Sequence, residues 1–346
     1  MPIASYLVAI LGLAVLMVVH EAGHYFAARK FGMRVVKFSI GFGPTIYKHQ
    51  PAGSDTVFQI AIIPFLAYVQ IAGMNPYEEN DPDDPSSYLN ASLWARIVTV
   101  AAGPLSNYFF ASVLFFFGFM LAGRPVIDDV SMRVTVAPGG PAEIADIRTG
   151  DRVVAVDHEA VGNWEALKAA IRKHPGEPVT VSVNRDGKPL EVIVTPAPKG
   201  DKYEGKILIG PEFRIEKVGA LEAARLSITE PLDIVGRNLR GIARMLVGKE
   251  KAEVAGPVGI VKDLAGAVRE NAGSAFELLG AISACLAVFN LLPVPALDGG
   301  RLMFLAFEAI TRRKPDAKIE ARIHAIGLIL MLTLVALVTY SDIMGR

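Results

Sequence analysis

Residues Leu7–Arg29 read LVAILGLAVLMVVHEAGHYFAAR, and the reading of the whole chain starts from them. About 20 apolar residues suffice for a helix to cross the hydrocarbon core of a bilayer. Near its C-terminal end this run carries His20, Glu21 and His24. Positions four apart share one helical face, with Cβ atoms roughly 5–6 Å apart. His20 and His24 can therefore grip one metal ion, and Glu21 lies within reach of a water beside it. The plainer alternative is a pair of histidines that hydrogen-bond to a neighbouring helix. Against it stand three ionisable groups within five residues at membrane depth, where such groups are costly and mark a pathway or a site.

The spacing is H-E-x-x-H, the arrangement found in zinc peptidases. Composition agrees with a membrane setting. The chain has 346 residues, 52% hydrophobic and 20% charged, with zero net charge and a mean hydropathy of +0.38. That pattern fits several membrane spans plus a soluble part and gives no reason to expect nucleic-acid binding. Cys285 is the single cysteine, which excludes an intrachain disulfide and a cysteine-based zinc site. The ligands must be His and carboxylate. The first apolar run has no basic segment before it and leads into HEAGH rather than a small-residue cleavage site, so it reads as a retained span.

Outward from HEAGH come Arg29, Lys30, Arg34, Lys37 and Lys48. Short basic loops stay cytoplasmic, which puts HEAGH toward the cytoplasmic end of the span. Between Val35 and Met74, VVKFSIGF, TVFQIAII and AYVQIAG read as three short strands broken by Gly and Pro. Open strand edges cannot face lipid, so this sheet is expected against the helices, either as a cover presenting an extended substrate or as a packing plug. Asn75–Asn90, with Asp81, Asp83 and Asp84, reads as a solvated acidic loop rather than a metal site. The second span, Leu93–Ala122, contains AAGPLSN; its small residues allow close helix approach, and Asn107 needs a partner, as a helix–helix bond or as support for a metal ligand.

Pro125–Pro198 changes character: VTVA, RVVAVD, VTVSVN and EVIVTP alternate with PAEIADI and NWEALKAAI. Gly139–Ile147 followed by Thr149-Gly150-Asp151 resembles a bacterial PDZ domain, a module that takes extended peptides by strand addition; Asp146 stands where that family has Gly. A spacer that restricts access by bulk is the alternative. Gly219–Gly248 carries an apolar helical face opposite Arg237, Arg240 and Arg244, is expected to divide at Pro231, and would lie in the membrane interface or against the inserted domain. Ala255–Ile260 reads as a tight turn before another short helix. In Phe276–Ile310 the segment FNLLPVPALDGGRL breaks the helix, which is tolerated only under protein cover or beside a cavity. Thr311–Lys314 and Lys318 form a second basic loop, and Ile323–Thr339 is the fourth span.

Catalytic zinc takes three protein ligands and one open position. Asp298 is the best third after His20 and His24, being the one acid close to the break; a salt bridge to Arg301 or a helix cap is its alternative role. Glu308 is a weaker candidate, and His324 has no matching partner.

HEAGH, AGPLSN, one PDZ-like segment, GPVGI and NLLPVPALDGG, in that order across nearly the whole chain, resemble the site-2 protease family of intramembrane zinc metalloproteases. The nearest type is the bacterial regulator-of-sigma-E protease, some members of which carry two PDZ domains where this chain has room for one. The resemblance implies a polytopic α-helical membrane protein with four transmembrane helices, a membrane-associated β-rich segment and an inserted extracytoplasmic PDZ (α+β) domain. The expected division is 1–30 for the first transmembrane helix, 31–92 for the β-rich segment and acidic loop, and 93–123 for the second helix. Then follow 125–200 for the PDZ domain, 201–274 for amphipathic interfacial helices and linker, 275–311 for the third helix with LDGG, and 312–346 for the basic loop and fourth helix. It further implies one Zn2+ per chain held by His20, His24 and Asp298, Glu21 as general base, and Asn290 as an oxyanion donor or substrate anchor. Expected partners are the lipid bilayer, a single-span substrate already cut outside, such as an anti-sigma factor or a signal-peptide remnant, and a peptide tail at the PDZ domain. The bacterial inner membrane would hold it with both termini outside and the active site toward the cytoplasm. Two other classes compete: a PDZ-bearing membrane scaffold with a structural metal, which would not need Glu21, and a zinc transporter, which would need polar residues strung across the bilayer.

Overall fold

The computed structural model describes residues 2–75, 83–198, 205–247 and 256–344. Asp81, Ala255 and Gly248, singled out above, lie outside them. Contacts divide the chain into two units, residues 1–122 with 218–346, and the inserted Gly123–Lys217.

The first unit is built on helices α1 (Pro2–Lys30) and α2 (Leu93–Ala122). Among the described residues four helices are long and apolar enough to cross a membrane: Ile3–Lys30, Leu93–Ala122, Ala272–Leu291 and Lys318–Met344. Small residues set the helix spacing. A Cβ on Gly23 of α1 would strike the Ala102 carbonyl of α2, and one on Gly280 would come 2.9 Å from the Phe115 ring. Without a hydrophobic drive between helices in lipid, such close approach is what holds a bundle.

Between these helices, β1 (Val35–His49) and β2 (Val57–Ile71) form an antiparallel pair. The three expected short strands are corrected: there are two long ones, each bent back on itself. Residues 37–40 pair both with 57–60 and with 67–70, and 58–61 pair in turn with 45–49. Gly41 and Gly43, at φ +96° and +95°, make the bend in β1, a conformation side chains resist. Residues 67–71 are left as an edge.

In the acidic loop, Asp84 accepts from the Ser86 hydroxyl at 2.6 Å and from Arg34 at 2.9 Å. These bonds hold its carboxyl down to about 2 and tie it into the turn at 84–86. Tyr88 and Leu305 bury against Met33, Val35 and Val100.

The inserted unit comprises β3 (Arg124–Ile127), β4 (Val134–Val136), α3 (Pro141–Ile144), β5 (Arg152–Val156), β6 (Glu159–Ala160), α4 (Trp164–Arg172), β7 (Val179–Arg185), β8 (Lys188–Val194), β9 (Ile209–Pro211) and β10 (Phe213–Glu216). Its main sheet runs β6-β5-β7-β8, while β9 pairs with β4 and β10 with β3. The expected boundary at 200 is therefore moved: 205–217 return to complete this unit, and Ile207 enters its core with Trp164, Leu167 and Val181. Asp146 adopts φ +64°, the left-handed turn for which Gly would be the ordinary choice. Arg185 grips buried Asp151 at 2.8 Å and keeps its carboxyl below the usual range.

Back in the first unit, α5 (Ala220–Leu246) is one helix, unbroken at Pro231, contrary to expectation. A proline disturbs the carbonyls one turn before it, and here the Tyr108 hydroxyl of α2 donates to the Ile228 carbonyl at 3.0 Å. Ala223 of α5 buries against Phe115 and Phe119, and the Asn238 amide donates to Cys285 Sγ at 3.0 Å. α5 thus meets α2 and α7 (Ala272–Leu291) through Ala223, Leu226, Ile234 and Asn238, while Leu221, Ile228, Leu232 and Leu239 of its apolar face stay exposed. GPVGI opens a helix rather than a turn: α6 (Pro257–Glu270) starts there. Its free amides at Gly256 and Gly259 donate to the Asp342 carboxylate at 3.2 and 3.0 Å, a cap supplied by the last helix, α9 (Ala317–Met344).

The chain leaves α7 at Leu291 and re-enters helix at α8 (Asp298–Thr311), so the break at 292–297 falls where the prolines placed it. Arg96 of α2 binds Glu308 of α8 through both ends of its guanidinium, at 2.9 and 2.5 Å, with both side chains buried. Glu308, the weaker ligand candidate, is thereby committed to a structural pair. Removing one partner leaves a buried charge uncompensated, at a cost of about 3–5 kcal/mol. Arg96→Met should accordingly lower the thermal midpoint in detergent steeply, while the double variant Arg96→Met with Glu308→Leu should recover most of the loss.

Candidate metal centre

His20 and His24 sit one turn apart on α1, both buried, and Asp298 is the first residue of α8. Asp298 Oδ2 lies 3.1 Å from His20 Nε2 and 3.4 Å from His24 Nε2. The two Nε2 atoms are 3.2 Å apart. These three are the His and carboxylate atoms that converge among the described residues. Asp298 Oδ2 is buried, and no described donor meets it in hydrogen-bonding geometry. A tetrahedral ion with ligand bonds of about 2.0–2.1 Å has edges of about 3.3 Å. The residues therefore fit zinc.

The surrounding chain fixes the imidazoles in the tautomer that ligation needs. His24 Nδ1 donates to the Thr99 carbonyl at 2.8 Å, which leaves the lone pair on Nε2. The Asn107 side-chain amide faces His20 Nδ1 at 3.2 Å, and the Asn107 Oδ1 atom is otherwise buried without a partner. Turned by half a rotation, that amide oxygen accepts from Nδ1–H and frees His20 Nε2 in the same way. Ser283 of α7 pins Asn107 by donating to its carbonyl at 2.8 Å. Gly103 lies directly under His24, where a Cβ would collide with Nε2. The AGPLSN stretch is therefore the wall that both imidazoles rest on.

Asp298 is presented by backbone alone. Cβ atoms on Gly299 and Gly300 would strike the carbonyls of Leu292 and Val294, so the LDGG glycines let the broken segment wrap over the start of α8. His324, expected to lack a partner, is found holding this loop: its Nδ1 accepts the Ala296 N–H at 3.0 Å. Ala296 has φ +76°, so the bond secures a strained residue. Asn290, expected as an oxyanion donor or substrate anchor, donates to the Leu286 carbonyl of its own helix at 3.0 Å.

Glu21 stands next to the cluster, and its Oε2 accepts the Val69 N–H at 3.0 Å. Val69 belongs to the edge residues 67–71. That edge is steadied by Gln59, whose amide donates to Ser39 Oγ at 3.0 Å and to Tyr68 Oη at 3.2 Å across neighbouring rungs. Thr99 escaped the sequence reading, and Gly103 and Val69 entered it only as a small packing residue and a strand residue, not as parts of the site. They contribute a carbonyl, the lack of a side chain and an amide, none of which a residue type announces.

A family model, described as Peptidase family M50, matches residues 8–334. The chain belongs to peptidase family M50. This is the site-2 protease family of zinc metalloproteases, and the match takes in both HEAGH and LDGG. Among similar proteins, one from Nostoc sp., provisionally named a zinc metalloprotease, is 33% identical and is aligned over 95% of this chain and 93% of its own length. One from Rhizobium meliloti, named in the same provisional way, is 31% identical over 96% and 94%. The zinc metalloprotease RasP of Geobacillus kaustophilus is 29% identical over 94% of each. The family and its apolar helices make the chain an integral membrane metalloprotease, with zinc as the implied cofactor. Held by His20, His24 and Asp298, zinc would act as a Lewis acid toward water and a peptide carbonyl.

Proposed function

We propose that this chain cuts peptide bonds in or near the membrane-spanning segment of single-span substrates, as a step of regulated intramembrane proteolysis. Anti-sigma factors or signal-peptide remnants are the substrate class. One observation carries the reading: a base, three metal donors and an open strand edge meet at one depth inside a helix bundle. With Oε2 held by Val69, the Glu21 carboxylate has Oε1 left to take a proton from the attacking water and return it to the leaving amine. A helical substrate hides its carbonyls in its own hydrogen bonds, so it must unwind first. Residues 67–71 offer an edge on which an unwound segment can add as a strand, in competition with Glu21 for the Val69 N–H.

Two basic clusters, Arg29 to Lys48 and Arg312 to Lys318, favour a cytoplasmic active-site end. The inserted unit then faces the outside of a bacterial inner membrane and acts as a PDZ-type peptide-docking domain. Its support is the Gly139–Val154 motif, the left-handed turn at Asp146 and the sheet flanked by α3 and α4. Partners are therefore the bilayer, a substrate with one span already cut outside, and a peptide tail.

Cysteines placed at Tyr68 and Ile71 in a Glu21→Gln background should crosslink to a single-span substrate bearing cysteines around its scissile bond. Absence of crosslinks at both positions, with crosslinks forming elsewhere in the bundle, would refute strand addition at this edge.

A further inference from the structure

The inserted unit has a cleft of about 140 Å³ between α4 and residues 205–209. Its floor is apolar, made by the buried side chains of Trp164, Leu167, Ile171 and Ile207. Its rim is basic, formed by Lys168, Arg172 and Lys206, and among the described residues no Asp or Glu lines it. Glu165 reaches Lys168 at 2.5 Å from outside the cleft, so Arg172 and Lys206 are the rim cations with no ion pair among the described residues. The cleft has room for one large apolar side chain. A peptide crossing it would put its neighbouring residues against the rim.

We propose that this cleft selects extended peptide segments in which an apolar residue is flanked by Asp or Glu side chains. The inference deepens the docking role proposed above and rests on it. Charge complementarity on a rim tunes choice of partner and on-rate more than gross affinity, while the apolar floor supplies the binding itself. A recognition that depended only on a free C-terminal carboxylate would need no acidic side chains, so the two sources of negative charge are separable.

The test uses the full-length protein in detergent micelles and three amidated, fluorescent peptides: one Leu-centred with flanking Glu, one with Gln in place of Glu, and one with Lys. The Glu peptide should bind about tenfold more tightly than the Gln peptide and lose that advantage in high salt. Amidation should cost it little against its free-acid twin. Arg172→Glu with Lys206→Glu should reverse the order and favour the Lys peptide, an outcome that an unfolded variant could not produce. Equal binding of the three peptides by the wild type would overturn the charge preference alone. Binding only by free-acid peptides would overturn it in favour of terminus recognition. Failure of every peptide to bind would overturn the docking role itself, with the metal centre unaffected.

Discussion

Glu21→Gln should keep its zinc and lose cleavage. The substitution preserves shape, and its amide oxygen can still accept the Val69 N–H that the structure places 3.0 Å from Glu21 Oε2. His20, His24 and Asp298 are untouched, so metal content measured on the purified protein should stay at the wild-type level. What disappears is a group able to take a proton from water. General-base assistance is worth about 10²–10⁴-fold in rate, and single-turnover cleavage of a single-span substrate should fall by at least the lower figure. Cleavage at the wild-type rate by a zinc-loaded variant would contradict the proposed chemistry. A scaffold with a structural metal would cleave nothing with or without Glu21, which separates that reading from the hydrolytic one.

The second large effect comes from a residue with no side chain. Gly103→Ala should empty the metal centre. A Cβ at this position falls on His24 Nε2, the ligating atom itself. The obvious escape, a shift of α2 away from α1, is opposed by the contact of Gly23 with the Ala102 carbonyl and by the Ser106 hydroxyl bonded to the Val19 carbonyl at 2.8 Å. Disturbing groups that merely orient a ligand lowers metal affinity about 10–100-fold, and a direct collision should cost at least that. Ala is otherwise the better helix former by about 1 kcal/mol, so loss of zinc cannot be laid to helix propensity. Gly266→Ala is the matched control, since a Cβ there meets nothing within 4 Å. It should keep both zinc and activity. Retention of a full zinc complement by Gly103→Ala would show that the wall under His24 is not needed.

Some of this was legible before any coordinates. Period and length alone give the four spans, because a helix in lipid must be long and apolar to satisfy its own backbone. The pairing of His20 with His24 is equally local, a consequence of 3.6 residues per turn. Pro293 and Pro295 announce the break that frees Asp298. Asn107 stood out as a polar group at depth in need of a partner, and it found His20.

Other features belong to the three-dimensional arrangement. That α5 runs on through Pro231 is seen only in the structure, where the Tyr108 hydroxyl of another helix meets the Ile228 carbonyl beside the proline turn. The three strand signals between 35 and 74 were sound as signals, yet their union into two doubled-back strands follows from which rungs find partners. Sequence alone could not show that Arg96 takes Glu308 with two hydrogen bonds while Asp298 comes to the histidines.

By itself, then, the sequence determined what is periodic or covalently local: the spans, the two-histidine face, the helix break and the change of character where a second unit is inserted. Only the tertiary structure decided what depends on groups distant in the chain. It brought Asp298 to the histidines, put Gly103 beneath His24 and set the Val69 amide on Glu21. The physical reason is that these last contacts are made by backbone atoms and by the space a missing side chain leaves, and every residue type carries the same backbone.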